Sequence, residues 1–120
     1  MKNHIANAII VACIDFRFQK FIRNWIDKNL KNKTFDYVGF AGATKDLETA
    51  MKQIDIAVRL HGIQQVILMH HEECGAYGTQ STPERHEKDL LKAKSAILKK
   101  YPKLNVDLYY LKLNGDFESV

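Results

Sequence analysis

The sequence predicts an α/β fold: a three-layer structure in which a four-stranded, mostly parallel sheet carries helices on both faces. Apolar runs typical of buried strands alternate with segments in which apolar residues recur every three or four positions, which is the helical repeat. The resulting order, β-α-β-α-β-α-β, is typical of parallel strands joined by right-handed helical crossovers. With 120 residues, 46% of them hydrophobic, the chain is expected to form one domain over residues 1–120.

The first half of the chain predicts two strands and two helices. Residues 8–13 are a continuous apolar run, which is typical of a central strand covered on both faces. Apolar residues at helical spacing follow over residues 18–31, and residues 35–40 predict a short second strand. The second helix is expected to begin at Leu47 and to end at Gly62, because glycine is the preferred residue just past a helix end.

The second half predicts a third strand, a third helix and a last strand. The third strand is expected at residues 63–69, and a polar, glycine-rich segment follows it. Thr82 is a good N-cap and Pro83 a good first helical residue, so the third helix is expected to begin there. Residues 106–113 predict the last strand, after which Asn114-Gly115 turns the chain back.

Composition and charge argue against several classes of protein. No apolar stretch approaches the roughly 20 residues of a membrane span, and no signal-peptide cleavage site follows the N-terminus, so we expect a cytoplasmic protein without a membrane partner. The net charge is +4, but 14 of the 18 basic residues are lysines, many beside Asp or Glu. Such dispersed lysines are typical of solvated helix faces, so no nucleic-acid partner is expected.

Chemically reactive residues follow two of the predicted strands. Cys13 ends the first strand, with Asp15 and Arg17 in the next loop, and His71 and Cys74 follow the third strand. Open parallel sheets bind ligands beyond the carboxyl ends of their strands, so these loops are expected to share one crevice. Two thiolates and one imidazole suit zinc and leave the fourth tetrahedral position for an exchangeable group. The sequence therefore predicts one zinc ion bound by Cys13, His71 and Cys74.

Other interpretations of the same residues stay open. A cysteine at the end of an apolar strand is often a small core residue, and a lone loop histidine is often only hydrogen-bonded. Asp15 and Arg17, two positions apart, could also form an ordinary local ion pair. Cys13 and Cys74 are the two cysteines of the chain, and as a disulfide across neighbouring strand ends they would make a thiol redox protein.

Two motifs make the chain resemble the β-class carbonic anhydrases. Residues 13–17 read Cys-Ile-Asp-Phe-Arg, similar to the Cys-x-Asp-x-Arg motif of that family. Residues 71–76 read His-Glu-Glu-Cys-Gly-Ala, similar to its His-x-x-Cys-Gly motif. Ala41-Gly42 is similar to the turn after the family's second strand, and residues 109–120 resemble its final strand and turn. The resemblance spans nearly the whole chain and the pair of motifs is more specific than either alone.

This resemblance implies a fold, a cofactor and a reaction. It implies a β-carbonic-anhydrase-like domain in which Cys13, His71 and Cys74 are the zinc ligands. It implies a zinc lyase in which hydroxide bound to the metal attacks carbon dioxide to give bicarbonate, reversibly. Asp15 and Arg17 would be the catalytic pair beside the open position. A homodimer or higher homo-oligomer is expected, because pockets in this family form at a subunit interface.

Departures from the family pattern support an alternative, in which the chain binds zinc but has lost activity and serves as a binding or regulatory module. The first strand begins within about ten residues of Met1, where the family usually has a helical arm, and Gly39 and Phe40 replace polar residues.

Phe16 and Phe40 are expected to pack in the core rather than to line a cleft. Four histidines are candidate proton shuttles but are expected to be surface residues without a role: His4, His61, His70 and His86.

Overall fold

The computed structural model describes residues 3–120. In chain order the elements are β1 (Ala8–Ala12), α1 (Gln19–Asn29), β2 (Phe35–Gly39), α2 (Leu47–His61), β3 (Gln65–His71), a 3-10 turn (Gly78–Gln80), α3 (Pro83–Lys100), β4 (Asn105–Leu111) and β5 (Phe117–Ser119). The five strands form one sheet in the order β2-β1-β3-β4-β5. The first four are parallel, as predicted, and β1 lies beside β3 with Val11 opposite Leu68.

The sheet has one strand more than the four that were predicted. β5 pairs antiparallel with β4, so that Tyr110 lies opposite Glu118. The turn at Asn114-Gly115 was predicted, and it is formed with Gly115 at a positive φ of 96°. The three residues of β5 are too few to show a strand period, and only pairing with β4 defines them as a strand.

Helices cover both faces of the sheet, which confirms the three-layer α/β prediction. On one face, Phe18 and Ile22 of the α1 region pack against Ile10 and Met69. The other face is covered by α2 and α3, whose apolar residues pack against β1, β3 and β4; among them are Ile54, Leu90, Ile97, Val11, Leu68 and Leu108. Full burial of one such side chain contributes roughly 1.5–3 kcal/mol to the stability of the fold. The two helix–sheet interfaces therefore hold the strands in a fixed arrangement.

Local capping defines the ends of the longer helices. The Thr82 side chain accepts a hydrogen bond from the Arg85 amide, with Pro83 in the first turn, as the sequence predicted. Gly62 ends α2 in the left-handed conformation at φ 58°, also as predicted. Asp46 caps the start of α2 by accepting from the Thr49 amide. Each such N-cap typically contributes about 1 kcal/mol.

β3 lies two residues further along the chain than predicted. Its last two residues, His70 and His71, pair with Tyr110 and Leu111 of β4, and both imidazoles are buried. His71 is therefore the end of a central strand rather than part of a loop, and the sheet fixes its backbone. None of the helices within residues 3–120 is long and apolar enough to cross a membrane.

Candidate metal centre

The carboxyl ends of β1 and β3 bring three metal-ligating side chains together. Cys13 directly follows β1, His71 ends β3, and Cys74 lies in the turn that follows. One ligand atom from each lies within 4.8 Å of the others. All three residues are buried, with relative exposures of 6%, 2% and 2%. The structure thus places the predicted ligands in one cluster, where they could hold a metal ion.

The His71 ring is oriented with one nitrogen toward this cluster. Its Nδ1 lies 2.7 Å from the carbonyl oxygen of Glu72, which can only accept, so Nδ1 carries the proton. Nε2 is left as the nitrogen with a free lone pair, and it is buried without a hydrogen-bond partner among the described residues. The Phe18 ring packs against the imidazole at 4.3 Å between centroids. Because an unpaired buried polar atom typically costs about 1–3 kcal/mol, a cation at Nε2 fits this arrangement.

The two thiols interact with each other. A hydrogen bond with the Cys74 thiol lowers the pKa of Cys13 to about 4, with further contributions from His71 and from the Gly42 amide, 3.4 Å from Cys13 Sγ. The same hydrogen bond and burial raise the pKa of Cys74. Burial lowers the pKa of His71, but the nearby Cys13 sulfur and the Glu72 carbonyl outweigh it, so the net shift is upward. The lowered pKa favours the thiolate form of Cys13, which is the form that metals bind.

The backbone at Gly42 requires glycine. Its φ is 82°, and an added Cβ would lie 3.0 Å from Cβ of Lys45 and 3.2 Å from Cβ of Ala76. The Ala76 contact joins the turn after β2 to the turn that carries Cys74. Gly42 can therefore bring its amide to Cys13 Sγ only because it has no side chain.

Asp15 and Arg17 form a multiply bonded pair at the edge of the cluster. Arg17 donates to Asp15 from its backbone amide at 2.9 Å, from Nε at 3.1 Å and from Nη2 at 2.8 Å. Its Nη2 also donates to the Glu73 carbonyl at 2.9 Å, which ties the pair to the turn that carries Cys74. These contacts with Arg17 lower the pKa of Asp15. Asp15 Oδ2 lies 3.9 Å from His71 Nε2, beside the cluster.

Three further residues support the site, and the sequence analysis did not identify them. Gln19 donates from Nε2 to the carbonyls of Cys13 and Asp15 at 3.0 and 2.9 Å. Glu73 adopts a positive φ of 56° in the turn, and the Ser81 hydroxyl accepts from the Cys74 amide at 2.9 Å. Glutamine, glutamate and serine are common on helix starts and turns, so their residue types carried no signal for this role.

Several sequence predictions about aromatic residues and histidines are corrected here. Phe16 is 85% exposed in the loop between β1 and α1, so the expectation that it packs in the core is wrong. Phe40 is half-buried and packs against the core, as expected. His70 and His86 are 2% and 0% exposed and are hydrogen-bonded, so they are not surface residues.

Comparison with known proteins gives a consistent family. A family model described as "Putative carbonic anhydrase" matches residues 2–120. An uncharacterised protein of Rickettsia bellii is 30% identical over 138 residues, covering 96% of this chain and 82% of that protein. An uncharacterised protein of Rickettsia conorii is also 30% identical, covering 96% of this chain and 72% of that one.

Solved structures share the fold at low sequence identity. A mutant of the β-carbonic anhydrase CafD of Aspergillus fumigatus superposes with a TM-score of 0.65 at 9% identity, covering 96% of this chain and 88% of that one. CafA of the same fungus gives 0.59 at 14% identity, covering 98% and 76%. One of two tetrameric β-carbonic anhydrases of Sordaria macrospora gives 0.58 at 11% identity, covering 98% and 82%. At these identities the structures establish the β-carbonic-anhydrase-like fold.

Proposed function

The chain belongs to this carbonic anhydrase family, and from that premise we propose that it is a zinc enzyme that reversibly hydrates carbon dioxide to bicarbonate. The observation that carries the proposal is the environment of His71 Nε2. This buried nitrogen has no hydrogen-bond partner among residues 3–120, and one ligand atom each of His71, Cys13 and Cys74 lie within 4.8 Å of one another. Two thiolates and an imidazole are a donor set of catalytic zinc sites.

In this proposal Cys13, His71 and Cys74 hold zinc. When bound, the ion supplies Lewis acidity that makes water a nucleophile near neutral pH. The hydrogen bond from His71 Nδ1 to the Glu72 carbonyl keeps the lone pair on Nε2 and fixes the direction of the ring. Burial of all three ligands excludes competing solvent from that side of the site.

Asp15 is proposed to orient the attacking water. Arg17 keeps the carboxylate ionised and turned toward the guanidinium, so it does not occupy the fourth ligand position. Asp15 Oδ2 lies 3.9 Å from His71 Nε2, so it lies beside the cluster, where it could accept a hydrogen bond from a water molecule held at the site. Arg17 in turn donates to the Glu73 carbonyl, so this hydrogen bond ties the proposed catalytic pair to the turn that carries Cys74.

We further propose a homo-oligomer that acts on small molecules alone, carbon dioxide and bicarbonate. The β-carbonic anhydrase of Sordaria macrospora, which shares this fold, is tetrameric, and this analogy of fold supports the proposed oligomer. Because many of its lysines lie beside Asp or Glu and are dispersed along the chain, we propose no nucleic-acid partner.

The test is stopped-flow hydration of carbon dioxide by protein that has been purified without chelator and analysed for metal. We expect about one zinc per chain and catalysed hydration, and we expect Cys74→Ser to lose both because a three-ligand site cannot spare a thiolate. Stoichiometric zinc without hydration would instead support a binding or regulatory module. Absence of metal together with a Cys13–Cys74 disulfide would support a thiol redox protein; both cysteines are free in the structure.

A further inference from the structure

A continuous chain of hydrogen bonds crosses the protein interior next to the candidate metal centre. Thr44 Oγ1 lies 2.6 Å from Nε2 of His70, and Nδ1 of His70 lies 2.8 Å from Nδ1 of His86. Nε2 of His86 lies 2.9 Å from the Ser81 hydroxyl. Thr44, His70 and His86 are all at most 3% exposed. We call these four residues the buried histidine chain; it links the turn after β2, the end of β3, the start of α3 and the turn before it.

Each end of the buried histidine chain meets a segment that contacts one candidate thiol ligand. At one end, Thr44 lies two residues after Gly42, whose amide donates to Cys13 Sγ at 3.4 Å. At the other end, the Ser81 hydroxyl accepts from the Cys74 amide at 2.9 Å. The separation of the two segments that position Cys13 and Cys74 is therefore spanned by two imidazole rings.

The hydrogen bonds assign one tautomer to each ring. The Thr44 amide, which can only donate, lies 3.4 Å from His70 Nε2, so Nε2 is an acceptor. His70 then carries its proton on Nδ1 and donates to His86 Nδ1. His86 carries its proton on Nε2 and donates to Ser81, whose oxygen also accepts from Cys74. Every ring nitrogen of the chain is satisfied by this single arrangement.

Packing alone does not require these polar groups. The His86 ring contacts Tyr77 and Tyr110 at 4.3 and 5.4 Å between centroids, surroundings that an apolar side chain would also fill. Buried polar groups cost free energy unless every hydrogen-bond partner is present. When every partner is present, their directional hydrogen bonds hold the bonded segments in fixed positions. Directional placement matters most at the two ends, where the thiol-bearing segments are held.

We propose that His70 and His86 are positioning residues of the metal centre, which set the distance between the Cys13 and Cys74 sulfurs by holding the Gly42 turn and the Cys74 turn at a fixed separation. The inference rests on the proposed zinc binding. It adds a specific role for two histidines and two hydroxyls that do not touch the metal ligands' donor atoms. Second-layer contacts of this kind typically contribute 10- to 100-fold in metal affinity.

The test compares variants at the two ends, because these leave the ring packing in place. Zn²⁺ affinity is measured by competition with a chelator, and the Co²⁺-loaded proteins are compared by absorption spectroscopy, which reports the geometry of thiolate coordination. We expect Ser81→Ala and Thr44→Val each to lower Zn²⁺ affinity by roughly 10- to 100-fold and to shift the Co²⁺ spectrum. Ser81→Thr, which keeps the hydroxyl, should restore both. Ser95→Ala, at an exposed position of α3, is the matched control and should change neither.

A second readout needs no metal. Nitrogen-15 NMR of the unmodified protein should show His70 protonated on Nδ1 and His86 on Nε2, and Ser81→Ala should disturb the His86 signals. Opposite tautomers in the unmodified protein would overturn the inference. So would Zn²⁺ affinity and Co²⁺ spectra in Ser81→Ala and Thr44→Val equal to those of the parent. If the unmodified protein binds no Zn²⁺, the proposed function and this inference both fail. If it binds Zn²⁺ and the variants bind it equally well, only this inference fails.

Discussion

The side chain of Asp15 lies between Arg17 and the candidate metal ligand His71. In the proposed mechanism, which of the two it faces decides whether water can bind at the metal. Arg17 holds both carboxylate oxygens on one side, and His71 Nε2 lies 3.9 Å away on the other. In the proposed mechanism Arg17 is more than a counter-ion, because it would keep the carboxylate off the position that water needs. The same guanidinium contacts Glu73, so a change at residue 17 reaches the ligand turn as well.

Asp15→Asn is expected to separate metal binding from catalysis. The amide is neutral and can donate to the water that it should orient, so hydration should fall by about 10²-fold or more while zinc content stays near one per chain. Stopped-flow hydration with metal analysis measures both. Asp27→Asn, a change of the same kind at an exposed position of α1, should leave both unchanged.

Arg17→Ala is expected to act in the same direction by a different route. Without its partner Asp15 can turn toward the ligand cluster and occupy the fourth position, so hydration should fall while zinc is retained. Co²⁺ absorption would detect the added carboxylate ligand as a change of spectrum. If both variants lose fold stability while the unmodified protein shows no hydration from mildly acidic to strongly basic pH, Asp15 and Arg17 are a structural ion pair.

At the scale of elements, the centre depends on two turns that contact each other. The turn after β2 presents the Gly42 amide to Cys13, and the turn after β3 carries Cys74 and Ala76. At Gly42 the two turns are so close that an added Cβ would lie 3.2 Å from Cβ of Ala76, tighter than an ordinary van der Waals contact. The strands bring these turns to the same edge of the sheet, and the absence of a Cβ lets them approach.

Gly42→Ala is expected to weaken zinc binding as well as stability. An added Cβ would lie 3.0 Å from Cβ of Lys45 in the same turn and 3.2 Å from Cβ of Ala76 in the turn that carries Cys74. At φ 82° these neighbours must shift, and the strain should cost roughly 1–3 kcal/mol. Urea unfolding and chelator competition measure the two effects. Gly62→Ala is the control: its φ of 58° is also positive, but an added Cβ meets nothing within 4 Å and lies at the far end of α2. It should lower stability and leave zinc affinity unchanged; equal losses of zinc affinity would contradict the prediction.

At the scale of the whole molecule, two buried histidines link the stability of the fold to pH. Burial lowers the pKa of His70 to about 3 and that of His86 to about 4, from an ordinary value of 6.5. Asp89 and Arg85 lie near His86 and act on it in opposite directions. Since the unfolded chain binds protons near pH 6.5 and the folded chain does not, unfolding takes up protons at intermediate pH.

The unmodified protein should therefore lose stability as pH falls from about 6.5 to about 4, and each histidine adds a slope of about 1.4 kcal/mol per pH unit within that window. The lowered pKa of Cys13 acts in the same direction in the unmodified protein and in a His86→Phe variant, so the difference between them reports His86. Urea unfolding at several pH values, with chelator present so that metal release does not contribute, measures the slope. His86→Phe removes one of the two groups and should reduce it. Parallel curves for the two proteins would show that His86 is not the origin of the acid sensitivity.

The assembly is the other property of the whole molecule. A small domain buries a modest share of its surface, and several large apolar side chains remain exposed, among them Ile5, Ile14, Phe16 and Tyr37. Association into at least a dimer would cover some of them. Light scattering at increasing concentration should report a mass of two chains or more, and a stable monomer at high concentration would contradict the oligomer and weaken the case for activity.

The sequence by itself determined the features that depend on neighbouring residues or on residue chemistry. The start of α3 at Thr82-Pro83 and the end of α2 at Gly62 follow from local capping, so the sequence predicted both. The alternation of apolar strands and amphipathic helices determined the three-layer α/β fold. The motifs around Cys13 and His71 pointed to one cluster, and their function as metal ligands stays a prediction.

Only the tertiary structure decided the features that depend on pairing between distant segments. β5 exists because β4 offers it hydrogen bonds, and His71 belongs to β3 because Leu111 lies opposite it. The buried histidine chain joins Thr44 to His70 and His70 to His86, across 26 and 16 positions of the sequence. Histidine, serine and threonine are as common on a protein surface as in such a buried chain, so their residue types do not reveal it. Which partner each one meets is set by strand order and helix packing, and no local pattern carries that information.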